Sequence, residues 1–368
     1  MILDHDLHGL LRVRLIDPSP QARAAVERQL GTPGQPPVGE ADLVVRFVDA
    51  VPRRGRLRLI GVEEMGFTDD SFVLLRRTAA GTALVTMPLD ALGGSCEIEC
   101  DRGIREVPLL IPLINLALVN KGVLPVHASA FTYRGEGIVA AGWRQSGKTE
   151  TLLGFMAHGA VAVADEWCYI TNDGSMYGIP EPVRLQDWHL EQLPQHRAAV
   201  GWPTRLRLGA WRAADGTGQA ARRAADHGMP GARSLSRALR AAGPRRHVDM
   251  DPSALFGAEG WSGRGHLDRA FLLLSVDAPD VQVAPIHGEE VADRMVFAHQ
   301  HHRLNVLGTG LAARFAFPQR HHAAIDNAEE LERSLLRAAF ADVPCFVVEH
   351  PYPIPIETTF RAIEEHCG

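Results

Sequence analysis

Gly137-Ile138-Val139-Ala140-Ala141-Gly142-Trp143-Arg144-Gln145-Ser146-Gly147-Lys148-Thr149-Glu150, continued by Thr151-Leu152-Leu153-Gly154-Phe155-Met156-Ala157-His158-Gly159 and by Ala160-Val161-Ala162-Val163-Ala164-Asp165-Glu166, is the stretch that decides the fold. Residues 137–141 form a short run of small apolar side chains, the pattern of a buried strand. Residues 142–149 match G-x-x-x-x-G-K-[ST] at every fixed position. From 148 to about 157 the spacing predicts a helix, closed at His158-Gly159 where glycine suits the left-handed C-terminal position. A further strand is expected over 160–164. Strand, glycine loop, helix and strand in this order define an α/β unit built around a phosphate-binding loop. Glycines let the backbone curl until its N–H groups point at phosphate oxygens, and the positive end of the helix reinforces them. Lys148 supplies a mobile charge for the β- and γ-phosphates and Thr149 a hydroxyl for Mg²⁺. Lysine is scarce here: of 38 basic residues only Lys121 and Lys148 are lysines, so a chance match is improbable. Gly142, Gln145, Ser146, Gly147, Lys148 and Thr149, with Glu150 directly behind them, are the expected nucleotide-binding residues.

Asp165 stands 17 residues after Lys148. One short helix and one strand fill that interval, a tight crossover that returns a parallel strand to the edge carrying the loop. A carboxylate there can hold Mg²⁺ or accept the proton of an attacking hydroxyl. Neighbouring strand residues point to opposite faces, so only one of Asp165 and Glu166 is expected to face the site, and Asp165 is favoured. Thr149, Asp165 and Glu166 make up the candidate metal ligands. His127, within Pro125-Val126-His127-Ala128-Ser129-Ala130, lies on the strand that precedes the loop strand.

Upstream, the chain reads as a small α+β domain over residues 1–104. Strands are expected at 11–16, 42–48, 56–60, 71–77 and 83–88, the last two joined through Ala80-Gly81. A helix over 19–30 opens on a possible Ser19 cap, and 31–39 is a Gly/Pro-rich turn. A second domain spans 105–368. It begins with a buried helix within 106–120, where Lys121 suits the negative helix end, and a strand over 124–131. It continues through a strand at 270–276, helices at 292–303 and 328–340, and a strand at 344–349. Between Arg205 and Arg246 fall ten arginines interleaved with alanine and glycine. This segment, 202–248, reads either as an exposed insertion or as a basic flap closing over phosphate or an acidic partner. His299, His301 and His302 lack the spacing of a metal site and read as a polar helix face, with His299 and Arg303 at i and i+4.

With 368 residues, 46% hydrophobic and 22% charged, the chain has the makeup of a folded protein and is long enough for two domains. A formal net charge of −6 disfavours nucleic acid as a partner. The longest nearly apolar run, 107–119, is too short to span a bilayer. Residues 1–16 lack a signal-peptide layout, and five cysteines without a C-x-x-C pair suit a reducing compartment, so the cytoplasm is expected.

Residues 127–170 resemble the catalytic core of HPr kinase/phosphorylase and the wider HPr-kinase-like set, which shares its fold with phosphoenolpyruvate carboxykinase. The matching positions are His127, Gly147-Lys148-Thr149-Glu150, Gly159 and Ala164-Asp165-Glu166. The first half of the loop departs from the family pattern, Arg144-Gln145 replacing a Ser-Gly pair, and Glu166 replaces a second aspartate. The resemblance implies an α/β kinase core of this type, Asp165 as catalytic base, His127 close to that base, and Lys148 on the phosphates. It implies ATP and Mg²⁺ as cofactors and a hydroxyl acceptor, most simply serine of a protein or peptide. The family's downstream glycine-rich signature is absent, Glu181-Pro182-Val183-Arg184 being the nearest element. Two other readings remain: a non-catalytic ATP-binding module that docks a partner, and a small-molecule kinase of the same fold. No LSGGQ-like signature and no N-K-x-D after the loop support an ABC ATPase or a GTPase. The oligomeric state stays open, a homo-oligomer being one option.

Overall fold

The first hundred residues build one mixed sheet. Its strands are β1 (Ile2–Leu7), β2 (Leu11–Ile16), β3 (Leu43–Val48), β4 (Arg58–Ile60), β5 (Met65–Phe67), β6 (Phe72–Thr78), β7 (Gly81–Thr86) and β8 (Cys96–Asp101), in the order β1-β2-β3-β8-β7-β6-β5-β4. Alternation drives it: Leu11, Val13 and Leu15, then Leu43, Val45 and Phe47, then Cys96, Ile98 and Cys100 are all buried on one face. Helix α1 (Pro20–Leu30) crosses from β2 to its parallel neighbour β3. Its start is fixed by Ser19, whose hydroxyl accepts the Ala22 N–H at 3.2 Å, and by Pro20 in the first turn. The computed structural model describes residues 1–34, 39–53, 55–61, 64–78, 81–197, 200–210 and 247–368. The middle of the turn expected at 31–39, the hairpin tip at Ala80 and the Arg-rich stretch from 211 to 246 lie outside the described residues.

Helix α2 (Leu110–Asn120) is apolar on nearly every side and buried accordingly. Pro112 sits in its first turn, where an N–H would have no intrahelical partner.

The second sheet holds β9 (Leu124–Tyr133), β10 (Glu136–Gly142), β11 (Val161–Ala164), β12 (Trp167–Ile170), β13 (Ser175–Gly178), β16 (Arg264–His266), β17 (Arg269–Ser275), β18 (Gln282–Ile286) and β19 (Cys345–His350). A separate ribbon pairs β14 (Val183–Leu185) with β15 (Val248–Met250). The order is β16-β13-β12-β9-β10-β17-β19-β18, with β11 beside β9. β10, β17 and β19 run parallel, whereas β9 is antiparallel to β10. The crossover after the loop returns a parallel strand as expected, but not as the immediate neighbour of β10. β11 runs parallel to β10, but the long strand β9 lies between them.

Helices cover both faces. α3 (Lys148–Ala157) and α7 (Ile356–Glu364) pack through Leu152, Phe155, Phe360 and Ile363 onto Phe131, Ile138 and Phe271. The opposite face receives α5 (Gly288–Ala316) and α6 (Ala328–Phe340) through Met295, Val296, Leu336 and Phe340. A short helix, α4 (Asp187–Gln192), lies near the start of α3. Helix α5, expected over 292–303, runs for 29 residues. The molecule is a mixed α/β structure with two large mixed sheets. Among the described residues no helix is long and apolar enough to cross a membrane.

Candidate functional site

Three parallel strands end at one edge of the second sheet, and the loop 142–149 leaves from there, the usual place for a ligand in an open α/β sheet. Gly142 has φ 151°, and a Cβ there would stand 2.5 Å from Ser146 Oγ and 2.7 Å from the Leu273 carbonyl oxygen. Gln145 at φ 64° and Gly147 at φ 91° are left-handed and complete the curl. His350, at the end of β19, places Nε2 2.9 Å from the Ser146 carbonyl oxygen, tying the loop to the sheet. Ser146 Oγ is buried with no hydrogen-bond partner among the described residues, while Gln145 is exposed. Lys148 opens α3 and is itself buried. Its ammonium donates to the Trp143 carbonyl at 2.7 Å and to that of Gly142 at 3.4 Å. Burial lowers it to about 8, against the pull of Glu166, Asp165 and Glu150, so the ammonium remains charged at neutral pH.

Asp165 faces this loop. Thr149 Oγ1 lies 3.1 Å from both carboxylate oxygens, and Ser129 Oγ donates to Oδ1 at 2.5 Å. Burial, reinforced by the neighbouring charge of Glu166, pushes the carboxyl up to about 7, although both hydroxyl donors oppose the shift. Ser129 was not singled out in the sequence. Its signal is positional: it sits two residues beyond His127 and so faces the same side of β9.

Strict alternation fails at Glu166. The chain leaves β11 at Ala164, and Glu166 adopts a left-handed φ of 85° before β12 begins. Such a conformation is costly for a side-chain-bearing residue and concentrates at sites under functional constraint. In consequence both carboxylates act on Lys148 rather than one of them turning away. Glu166 is held by His127 Nε2 at 2.9 Å and by Arg184 Nη1 at 3.0 Å. Burial would raise its carboxyl, but the His127 contact, Arg184 and Lys148 outweigh this and hold it low. His127, driven down to about 4 chiefly by burial, is neutral and donates Nε2–H to the ionised Glu166. Among the described residues the His127 side chain bonds Glu166 and makes no hydrogen bond to Asp165.

Glu150 turns to α4, where His189 Nε2 lies 3.0 Å from Oε1. Burial opposes its ionisation, yet the His189 contact keeps the carboxyl below its usual range. Glu181 is half-buried with its Oε2 enclosed, and its carboxyl is pushed up to about 8 by desolvation and by the charge of Glu166. Arg184 and Glu181 thus belong to this site, although their sequence element reads as a weak one.

Of the histidines of α5, His301 is exposed as expected, His302 is half-buried, and His299 departs from a polar surface face. His299 is buried, and its Nε2 accepts the His127 backbone N–H at 3.2 Å. Its Nδ1 lies 3.2 Å from Glu332 of α6, whose other oxygen is 2.7 Å from the buried Arg303. The ring of His302 stands 3.8 Å from that of His127. Arg303 neutralises a buried glutamate, so i, i+4 spacing here builds a support for β9 rather than a solvated stripe. Among the described residues no group of three His, Cys, Asp or Glu side chains is arranged to hold a metal ion. The five cysteines are free, and burial raises their thiols to about 11 or 12. Lys121 binds Asp42 at 2.5 Å and the Leu10 carbonyl at 3.1 Å.

The arrangement combines a curled N–H-rich loop, a buried ammonium, a hydroxyl and two carboxylates of opposite protonation tendency. It can neutralise a polyphosphate and can take up one proton near neutral pH. No family model matches the chain, and a search of the curated proteins finds no match.

Proposed function

We propose that this protein is an ATP-dependent, Mg²⁺-requiring kinase of the HPr-kinase-like type, transferring the γ-phosphoryl group to a hydroxyl of a protein or peptide, most simply serine. One observation carries the reading: Asp165, a carboxyl with affinity for a proton near pH 7, is bonded to Thr149 of the Gly-Lys-Thr loop. What supports a phosphate ligand is Ser146 Oγ, buried in the loop and without a hydrogen-bond partner among the described residues. Gly142 to Gly147 would hold the phosphates through backbone N–H groups, and Lys148 would offset charge on the β- and γ-oxygens. Mg²⁺ keeps most of its ligands as water and phosphate and needs only one or two protein oxygens, which Thr149, Asp165 and Glu166 offer. When bound, it would neutralise charge on the transferring group.

In this reading the acceptor hydroxyl gives its proton to Asp165 as its oxygen bonds to the γ-phosphorus, and the bond from that phosphorus to the β,γ-bridging oxygen breaks, releasing ADP. A carboxyl near neutrality is matched to this task. Glu166, kept ionised by His127 and Arg184, fixes the local negative charge and so raises the proton affinity of Asp165. His127 acts through Glu166 and is a positioning residue.

The test is transfer from γ-labelled ATP to a panel of serine-containing peptides. Wild type should label at least one peptide, and Asp165→Asn should reduce the rate by 10²-fold or more while ATP still binds. Unchanged transfer in that variant would remove Asp165 as the base. Saturable ATP binding with no transfer to any acceptor would instead favour the nucleotide-binding module.

A further inference from the structure

Helix α5 is apolar on two opposite sides. Val291, Ala292, Met295, Val296, Val306, Ala312 and Ala313 face the interior and are buried. On the other side Phe297, Leu304, Leu311 and Phe315 are 56%, 56%, 65% and 73% exposed. These four follow one another at intervals of seven, seven and four residues, so they form a single straight stripe, with His301 and Gly308 between them. Single exposed apolar residues are ordinary, but an aligned row of this size marks an interaction surface.

We infer that this stripe is the contact surface for a second copy of the chain, packed antiparallel along α5 about a twofold axis. The sequence is self-complementary in that arrangement. With Leu304 placed opposite Gly308 of the partner subunit, Phe297 falls opposite the partner's Phe315 and His301 opposite the partner's Leu311. Large side chains thus meet a residue without a side chain at the centre, where the helices come closest, and aromatic rings meet at both ends. Among the described residues nothing lies within 4 Å of where a Cβ at Gly308 would stand, which leaves room for an incoming side chain. Beside Leu304 and Gly308 lies a cavity of about 770 Å³, walled by Met65, Leu74 and Leu109 together with the charged Glu64, Arg76 and Arg77, that gives partner side chains room. Side chains of Phe and Leu size at these exposures present on the order of 400 Å² per copy. The two stripes together would bury about 800 Å², which places the contact at the weak, reversible end of specific association. One end of the contact touches the loop: Trp143 lies 5.0 Å from the ring of His301.

The experiment is light scattering coupled to size-exclusion chromatography on the full chain from 1 to 100 µM. A dimer is expected for wild type, and a monomer for Leu304→Glu/Leu311→Glu with unchanged circular dichroism. A second variant, Leu304→Cys/Gly308→Cys, should cross-link between chains on oxidation, since these positions face each other in the proposed register. Should the glutamate variant fail to fold, the cross-link decides alone. A wild-type monomer at 100 µM, a dimer untouched by both glutamates, or absence of the cross-link overturns the proposal. So would a monomer whose stripe is instead protected by an apolar peptide.

Discussion

Asp165 feels three influences of different sign. Burial and the charge of Glu166 favour the protonated form, whereas the donors Ser129 and Thr149 favour the ionised one. The balance near pH 7 is what would let one carboxyl both take a proton and lose it again. Ser129 can be removed without touching the loop. Ser129→Ala deletes a 2.5 Å hydrogen bond to the ionised form, so the proton affinity of Asp165 should rise further. A base works when deprotonated, so transfer in wild type should increase with pH through about 7. In the variant that limb should move to higher pH by about one unit, costing several-fold in rate at pH 7 with KM for ATP unchanged. A pH–rate profile of both proteins checks this, and an unmoved limb would show that Ser129 has no part in tuning the base.

At the scale of elements, the turn from loop into α3 depends on Gly147. Its φ of 91° disfavours any side chain, and a Cβ would lie 2.7 Å from Ile354 Cδ1 and 3.2 Å from His350 Nε2. Gly147→Ala should therefore destabilise the fold by about 2–3 kcal/mol, of which 1–2 kcal/mol is the backbone conformation. Adding Ile354→Ala should recover the steric part of the Gly147→Ala cost, read as a non-additive double-mutant cycle in thermal melts. Strict additivity would show that the contact is relieved at no cost. The strand, loop and helix around this glycine were legible because short-range spacing dictates them, and so was Ser19 as a cap. What was hidden depends on long-range pairing. No local pattern says that β9 slips between β10 and β11, because the small apolar strands involved are alike in composition. Nor does it show that α5 continues through Gly308 and Gly310. Gly310 packs against Ile325, where a Cβ would stand 3.1 Å from Cδ1, so close approach rather than a helix end explains it. Arg303 and His299 read as surface for the same reason, since their partner Glu332 is 29 residues or more away in sequence.

At the scale of the whole molecule, the sequence changes character near residue 104 and the two large sheets are built from opposite sides of that point. Their cores nevertheless merge. Leu15, Val45, Phe47, Ile98 and Ile104 share one apolar cluster with Leu113, Ile114, Leu116 and Leu118 of α2 and with Tyr169, Ile179, Val306 and Ala313. Polar ties cross the same boundary: Lys121 to Asp42 at 2.5 Å, and His8 Nε2 to the Gly178 carbonyl oxygen at 2.7 Å. Helix α2 is apolar enough that neither part could leave it bare in water, so unfolding of one sheet must expose the other. The expected consequence is a single cooperative transition in calorimetry of the full chain. Its calorimetric enthalpy should be about 260 kcal/mol near 60 °C and equal to the van't Hoff value measured at fixed protein concentration. Two resolved peaks, or a calorimetric enthalpy twice the van't Hoff value, would mean that the first sheet folds as an autonomous unit. In that case α2 would stay with the second sheet, and its apolar face would be a docking surface rather than a shared core.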